Sequence, residues 1–392
     1  MPEPQPSSVG LPLSRRVPEM AALARAPARP VSGVKILCDG EAAFPAMLDL
    51  IATAQRQILF ENFIFAGDAT GRRFADALGN AAQRGVDVRV LYDPVGTMLV
   101  RGGSIARTLR GEGVAARPFR PLSPFHPWSW ARIKHRDHRK MLAVDGDAGV
   151  VGGLCISDNW SPAAQGGQGW RDTALQVRGP IVSDLEQAFE AMWRRADDKR
   201  ATLPPMPGSH EGVPAALVAA DRPGAAQISM LYHWLARQAQ HSLEITDAYL
   251  VTPRRIVAAF ADAARRGVAV RLLLPGRNNH PVAGAAARHV YQPLLDAGVE
   301  IWEWGGMMLH AKTAVVDGEV TLVGSSNLDP LSMRRNYELN LLVADPVTGA
   351  GMREMFARDL DAATRVDPAV WRRRPAWQRV IERAASWFGP NL

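Results

Sequence analysis

Two short stretches of this chain hold the residue types that phosphoryl chemistry uses. His138-Arg-Lys140-Met-Leu-Ala-Val-Asp145 is followed by Gly152-Gly153, and His310-Ala-Lys312-Thr-Ala-Val-Val-Asp317 by Gly324-Ser325-Ser326-Asn327. In both, Lys stands two residues after His, Asp five after Lys and Gly seven after Asp; the offset is 310 − 138 = 172. On a strand, residues two apart face one side. Each copy therefore aims one imidazole and one ammonium at the same space. Two such pairs converging describe a phosphate site: the lysines hold the anion, one imidazole attacks phosphorus and the other protonates the leaving oxygen.

The neighbouring residues divide between support and contact. Asp145-Gly146 and Asp317-Gly318 sit between apolar runs, and Asp-Gly is a strong hairpin signal, so both aspartates are expected to build turns. Gly153, Ser325 and Asn327 are expected at the phosphate, because small residues admit a ligand to the backbone and Ser and Asn donate hydrogen bonds. A reactive histidine needs an acid on its other ring nitrogen. Glu338 lies 28 residues after His310, and Asp172 occupies the same place 34 residues after His138. That spacing assigns one orienting acid to each half, with about six extra residues in the 162–169 loop of the first half.

The doubled motif resembles the phospholipase D superfamily, whose signature is a repeated His-x-Lys-x4-Asp. Within it the chain is similar to bacterial cardiolipin synthases of the short type without N-terminal membrane helices. Phe60–Phe65, Ala82–Asp93, His138-Arg-Lys140 and Gly324–Ser332 carry the likeness, which covers nearly the whole chain. The resemblance implies an α/β fold of two tandem phospholipase D-like α-β-α domains, related by a pseudo-twofold axis, with one active site shared at their interface. It implies a phosphatidyl transferase that joins phosphatidylglycerol to a second phospholipid through a phosphohistidine, with His138 as nucleophile and His310 as acid/base. A hydrolytic phospholipase D is the alternative, then a nuclease-like phosphodiesterase; a non-catalytic membrane-binding protein is the third. The chain departs from the family at Cys155, where the first motif usually has Asn and the second copy keeps Asn327.

Composition agrees with a globular chain that meets an anion: 392 residues, 47% hydrophobic, net charge +7. Positive charge suits anionic lipid or nucleic acid, but no nucleic-acid signature accompanies it, and none is expected as a partner. Cys38 and Cys155 have no motif spacing and read as free thiols in a reducing compartment. No Cys/His cluster suggests zinc, and lysines at the phosphate make a metal or other cofactor unnecessary. No apolar run is long enough to span a bilayer. The expected location is therefore cytoplasmic, peripheral to the cell membrane, on its anionic surface.

The elements repeat. Residues 1–33, rich in Pro, Ala and Arg, are expected to be flexible. The first domain takes 34–200, a linker 201–213, the second domain 214–365 and a basic, Trp-rich tail 366–392. Ala82-Gln-Arg-Gly-Val-Asp-Val-Arg-Val-Leu against Ala264-Arg-Arg-Gly-Val-Ala-Val-Arg-Leu-Leu is the clearest repeat outside the motifs, a helix stopped by Gly and then a strand. A single helix is expected over 283–297. Two stretches suit a bilayer interface: Pro124–Lys134, with Trp128 and Trp130, and the tail, where Trp377, Val380, Ile381, Ala384 and Phe388 share a helical face.

Overall fold

The computed structural model describes residues 12–98, 105–122, 135–197, 215–221 and 223–388. The first half supplies β1 (Arg29–Pro30), β2 (Ser32–Cys38), β3 (Gln57–Asn62), β4 (Asp87–Tyr92), β5 (Ala115–Pro118), β6 (Lys140–Val144), β7 (Ala148–Gly152) and β8 (Thr173–Arg178). The second supplies β9 (Ala215–Asp221), β10 (Ser242–Thr246), β11 (Ala269–Pro275), β12 (Glu300–Trp304), β13 (Thr313–Val316), β14 (Val320–Gly324), β15 (Glu338–Ala344) and β16 (Ala363–Arg365). One sheet runs β2-β8-β7-β6-β3-β4-β5. The other repeats that order as β9-β15-β14-β13-β10-β11-β12, with β1 and β16 added at its two edges. The expected α/β duplication is present.

The sheets pack on each other. Leu59, Met141, Val151, Leu175 and Val177 of the first share one apolar core with Val315, Val323, Leu339, Leu341 and Val343 of the second, and helices Ile181–Ala196 and Pro346–Asp361 close that core. Each sheet's other face carries its own helices and its own core. Strands covered on both faces explain why β15 is buried throughout.

Both motif aspartates build turns, and by the same device. Asp145 and Asp317 take positive φ (+53° and +52°), each followed by a glycine at +69°. Asp145 accepts the backbone N–H groups of Gln55, Arg56 and Gln57 at 2.7, 2.8 and 2.8 Å. Asp317 accepts those of Gln240, His241 and Ser242 at 2.9, 2.8 and 2.8 Å. Each carboxylate thus pins the motif hairpin to the start of the neighbouring strand, β3 or β10.

Four expectations need correction or limits. Residues 12–33 are not a flexible segment. Leu13, Val17, Met20 and Ala24 follow helical spacing and are buried in the second half's core, where helix Val17–Ala24 packs near helix Gln227–Gln238. β1 then pairs antiparallel with β9, so Arg29–Pro30 belongs to the second sheet. The expected helix over 283–297 is two, Pro281–Arg288 and Tyr291–Asp296. The linker 201–213 and the Trp128/Trp130 loop lie outside the described residues.

Candidate active site

The segments that lead into the motifs cross between halves. Asp137 forms a parallel bridge with Tyr337, and Leu309 with Arg171. The His138 N–H donates to Tyr337 O at 3.0 Å, and the His310 N–H to Arg171 O at 2.7 Å. Each histidine is therefore laid beside the residue that precedes the other half's acid. Buried ion pairs hold this crossing in place. Arg136 bonds Asp93 through Nε and Nη2 at 2.9 and 2.8 Å, and Arg171 bonds Asp359 at 2.9 and 2.6 Å.

The acids cross as a result, which corrects the one-acid-per-half assignment. His138 Nδ1 lies 3.0 and 3.1 Å from the two oxygens of Glu338. His310 Nδ1 lies 2.7 Å from Asp172 Oδ2. With Nδ1 tied to a carboxylate, Nε2 is the free nitrogen of each ring. Lys140 Nζ donates to the carbonyl of His138 at 2.6 Å, and Lys312 Nζ to that of His310. Lys312 Nζ is also 2.9 Å from His310 Nδ1. We place the Nδ1 proton toward Asp172, because that contact is shorter and carries the opposite charge.

The electrostatics join the four side chains into one unit. Burial, then Lys140, then Lys312 hold His138 well below its usual pKa. Burial and Lys312 push His310 down to about 3 against the pull of Asp172, with a further push from Lys140. Each lysine therefore acts on both histidines, so the two half-sites meet. Burial lowers Lys312 to about 8 and raises Glu338 to about 7, the latter against Lys140 and a hydrogen bond from Ser325. For Asp172, burial is outweighed by His310, Lys312 and a donor from Trp160, and the carboxyl stays below its usual value.

Other expected contacts serve the acids instead. The Ser325 hydroxyl donates to Glu338 Oε2 and accepts from Leu339 N at 2.9 Å. A phosphate-binding role for that hydroxyl is thereby displaced. Gly153 gives its N–H to Thr173 O at 3.2 Å; a Cβ there would sit 2.3 Å from Asp172 Oδ1. Its small size makes room for the acid, not for a phosphate. Asn327 remains available. Its Nδ2 is 3.5 Å from Ser332 Oγ, and its Oδ1 is buried without a hydrogen-bond partner. Turning the amide over lets Ser332 donate to Oδ1 and frees the NH2 for an anion. Cys155, the counterpart of Asn327, is buried in the first half's apolar core, which keeps its thiol protonated.

Sequence reading missed the aromatic wall. Trp160 donates Nε1–H to Asp172 Oδ2 at 2.8 Å, while its ring meets His310 edge-on with centroids 5.1 Å apart. Trp170 lies 5.8 Å and Tyr249 6.5 Å from the same imidazole, and Phe63 lies 4.9 Å from His138. The signal was present in the repeat: 160 + 172 = 332, and Ser332 stands near Glu338 and draws its pKa down, as Trp160 does for Asp172.

A doubled sheet with two lysines and two acid-held histidines at its seam suits an enzyme of phosphodiester chemistry. The family model described as "Cardiolipin synthase, PLD-like domain" matches residues 47–193 and 234–360, and the chain belongs to that family within the phospholipase D superfamily. Cardiolipin synthase A of Pseudomonas entomophila is 32% identical over 378 residues, 95% of this chain and 78% of that protein. The cardiolipin synthase of Geobacillus thermodenitrificans is 31% identical over 373 residues, 92% and 72% respectively. Among solved structures, phosphatidylserine synthase of Haemophilus influenzae superposes with a TM-score of 0.73 at 15% identity. That match covers 97% of this chain and all of the other, a likeness of fold.

Proposed function

We propose that this phospholipase D-superfamily phosphatidyltransferase makes cardiolipin from phosphatidylglycerol and a second phospholipid. The observation that carries the mechanism is the crossed pairing. Each half's acid fixes the other half's histidine, so neither half is a working site alone. His138 Nε2 attacks the phosphodiester phosphorus as the bond to the glycerol headgroup breaks. His310, charged in the bound state, gives its proton to the departing oxygen, leaving a phosphohistidine on His138. The hydroxyl of the second lipid then enters where glycerol left. Its proton passes to His310, its oxygen bonds phosphorus, and the P–N bond breaks. Lys140, Lys312 and Asn327 hold the phosphoryl oxygens as charge develops. Asp172, kept ionised by its donors, favours the imidazolium on His310 and so supports its acid/base role.

The enzyme works peripherally on the anionic cytoplasmic face of the cell membrane. Among the described residues no helix is long and apolar enough to cross a bilayer, and the net charge is +7. The test is incubation with vesicles of headgroup-labelled phosphatidylglycerol and mass spectrometry of the products. Cardiolipin with free glycerol is expected. Phosphatidic acid with glycerol would make it a hydrolase. A peptide containing His138 with a phosphatidyl group on the imidazole, trapped by rapid quenching, checks the intermediate.

A further inference from the structure

Near its end the chain forms helix Ala376–Phe388, which packs along helix Pro281–Arg288. Its docking is unusual in what it buries. The seam holds Glu382 and Ala385, at 6% and 8% exposure, and the Arg374 guanidinium clamps Glu382 at 2.9 Å. Arg374 also lies 4.2 Å over the ring of Trp371, which packs on Tyr291 of the core with centroids 5.0 Å apart. The large apolar side chains face water: Trp377 61%, Val380 67%, Ile381 52% and Trp387 73% exposed. A helix serving only to complete the core would bury these and expose the glutamate.

Position on the helix adds a second observation. At 3.6 residues per turn, residues 377, 380, 381, 384 and 387 fall in one arc of about 120°. Arg379 and Arg383 lie beside that arc, on the flank away from the seam. Both are exposed, as is Arg373, and none of the three guanidinium groups makes an ion pair or hydrogen bond among the described residues. An apolar stripe edged by free guanidinium groups matches an anionic bilayer surface: the stripe enters the acyl boundary and the arginines stay at the phosphates.

The helix also sits close to the chemistry. Its partner helix begins next to His280, whose ring is 5.8 Å from Tyr249, and Tyr249 is 6.5 Å from His310. Val282 on that partner helix is 49% exposed. A cavity of about 350 Å³ lies against the same helix, lined by Leu250, Leu274, Arg277, Ala287 and Tyr291.

We propose that the exposed arc of helix Ala376–Phe388 is the surface by which this protein seats on anionic lipid, setting the His310 side of the active site at the bilayer. This rests on the lipid-substrate reading above. The experiment compares the full chain with Trp377→Ser/Val380→Ser/Ile381→Ser in co-sedimentation with phosphatidylglycerol/phosphatidylcholine vesicles. Both proteins are also assayed on short-chain phosphatidylglycerol dispersed below its critical micelle concentration. Vesicle partitioning is expected to fall at least about 30-fold, with turnover of dispersed substrate within about twofold of the parent. Unchanged partitioning overturns the proposal, including the case where the variant instead loses self-association. If the triple variant misfolds, wild type and Trp377→Phe are compared with brominated lipids. Loss of quenching in Trp377→Phe supports the proposal, and equal quenching overturns it. No turnover of dispersed lipid by wild type would count against the enzymatic reading and leaves the partitioning result to stand by itself.

Discussion

Asp172 of the first half lies 2.7 Å from the imidazole of His310 in the second, and Glu338 returns the exchange at 3.0 Å from His138. The cause is backbone geometry. The bridges Leu309–Arg171 and Asp137–Tyr337 set the two approaches to each pair side by side. The active site is thus a product of the packing of the halves, and separating them would leave each histidine without its acid.

The crossing predicts which histidine answers to which acid. Asp172→Asn should lower turnover by about 10²–10⁴-fold. It should also move the imidazole resonances of His310 while leaving those of His138 nearly in place; Glu338→Gln should do the reverse. Histidine NMR titration reads this directly. A shift confined to His138 in Asp172→Asn would mean that the acids serve their own halves.

The pH profile follows from Glu338 at about 7 and Lys312 at about 8. An ionised Glu338 holds the His138 Nδ1–H, and a charged Lys312 holds phosphate. The value of kcat, read with substrate bound and His310 charged, should therefore rise through about pH 7 and fall above about pH 8. The sign for stability is opposite on the acid side. A carboxyl whose folded pKa is raised stabilises the fold below its unfolded value, and that contribution is lost as pH climbs through the folded one. Glu338→Gln should remove the acid limb of activity and flatten the fall in Tm between pH 5 and 7.5. An unaltered acid limb in that variant would assign it to another group.

Trp160 is a positioning residue. It acts on His310 through Asp172, the oxygen that accepts both its Nε1–H and the histidine's contact. Trp160→Phe keeps a ring beside the imidazole and removes the donor. A hydrogen bond to a charged group is worth about 1.5–3 kcal/mol, so kcat should drop about tenfold or more with KM little changed. The pKa of Asp172 should also rise. Equal changes in kcat and KM with no shift in the pH profile would mark the tryptophan as packing alone.

Asp317 offers the contrasting case of a motif residue without chemistry. Three backbone N–H groups lose their acceptor in Asp317→Ala, and the positive φ at 317 becomes harder to hold. A stability loss of about 1–3 kcal/mol is expected, read by denaturant unfolding, with turnover per folded molecule within a few-fold of wild type. A collapse of kcat at unchanged stability would place this aspartate in the mechanism.

What could be read from the chain divides along a physical line. The hairpins, the Asp-Gly turns and the glycine helix stops are local. Gly85 and Gly267 take φ of +89° and +94° just beyond helices Ala69–Gln83 and Arg254–Arg265, as the repeat predicts. The crossed acids are not local. Spacing within one half places Asp172 nearest to His138 in sequence, and only the packing of one sheet against the other reverses that. Ser325 shows the same limit: its type suggests a phosphate donor, yet its hydroxyl is spent on a carboxylate that sequence does not place beside it. The N-terminal helix is a different failure. Its 13, 17, 20, 24 periodicity is visible, but the surrounding Pro and Arg residues obscure it, and its partner lies some 200 residues away.

Substrate must also change the protonation of the site. In the unliganded fold, burial and the lysines hold both imidazoles neutral near pH 7, His310 at about 3. Acid catalysis at the leaving oxygen needs one of them charged. A phosphodiester or its mimic brings negative charge beside Lys140 and Lys312 and offsets the repulsion that disfavours an imidazolium. Binding should therefore take up protons, approaching one per site at pH 7. Titration calorimetry with orthovanadate in buffers of different ionisation enthalpy measures this as the slope of apparent heat against buffer heat. Asp172→Asn should reduce the uptake, because the ionised carboxylate is what stabilises charge on His310. A zero slope in the wild type would show that the acid is already protonated before substrate arrives, and His310 would then have to be reassigned.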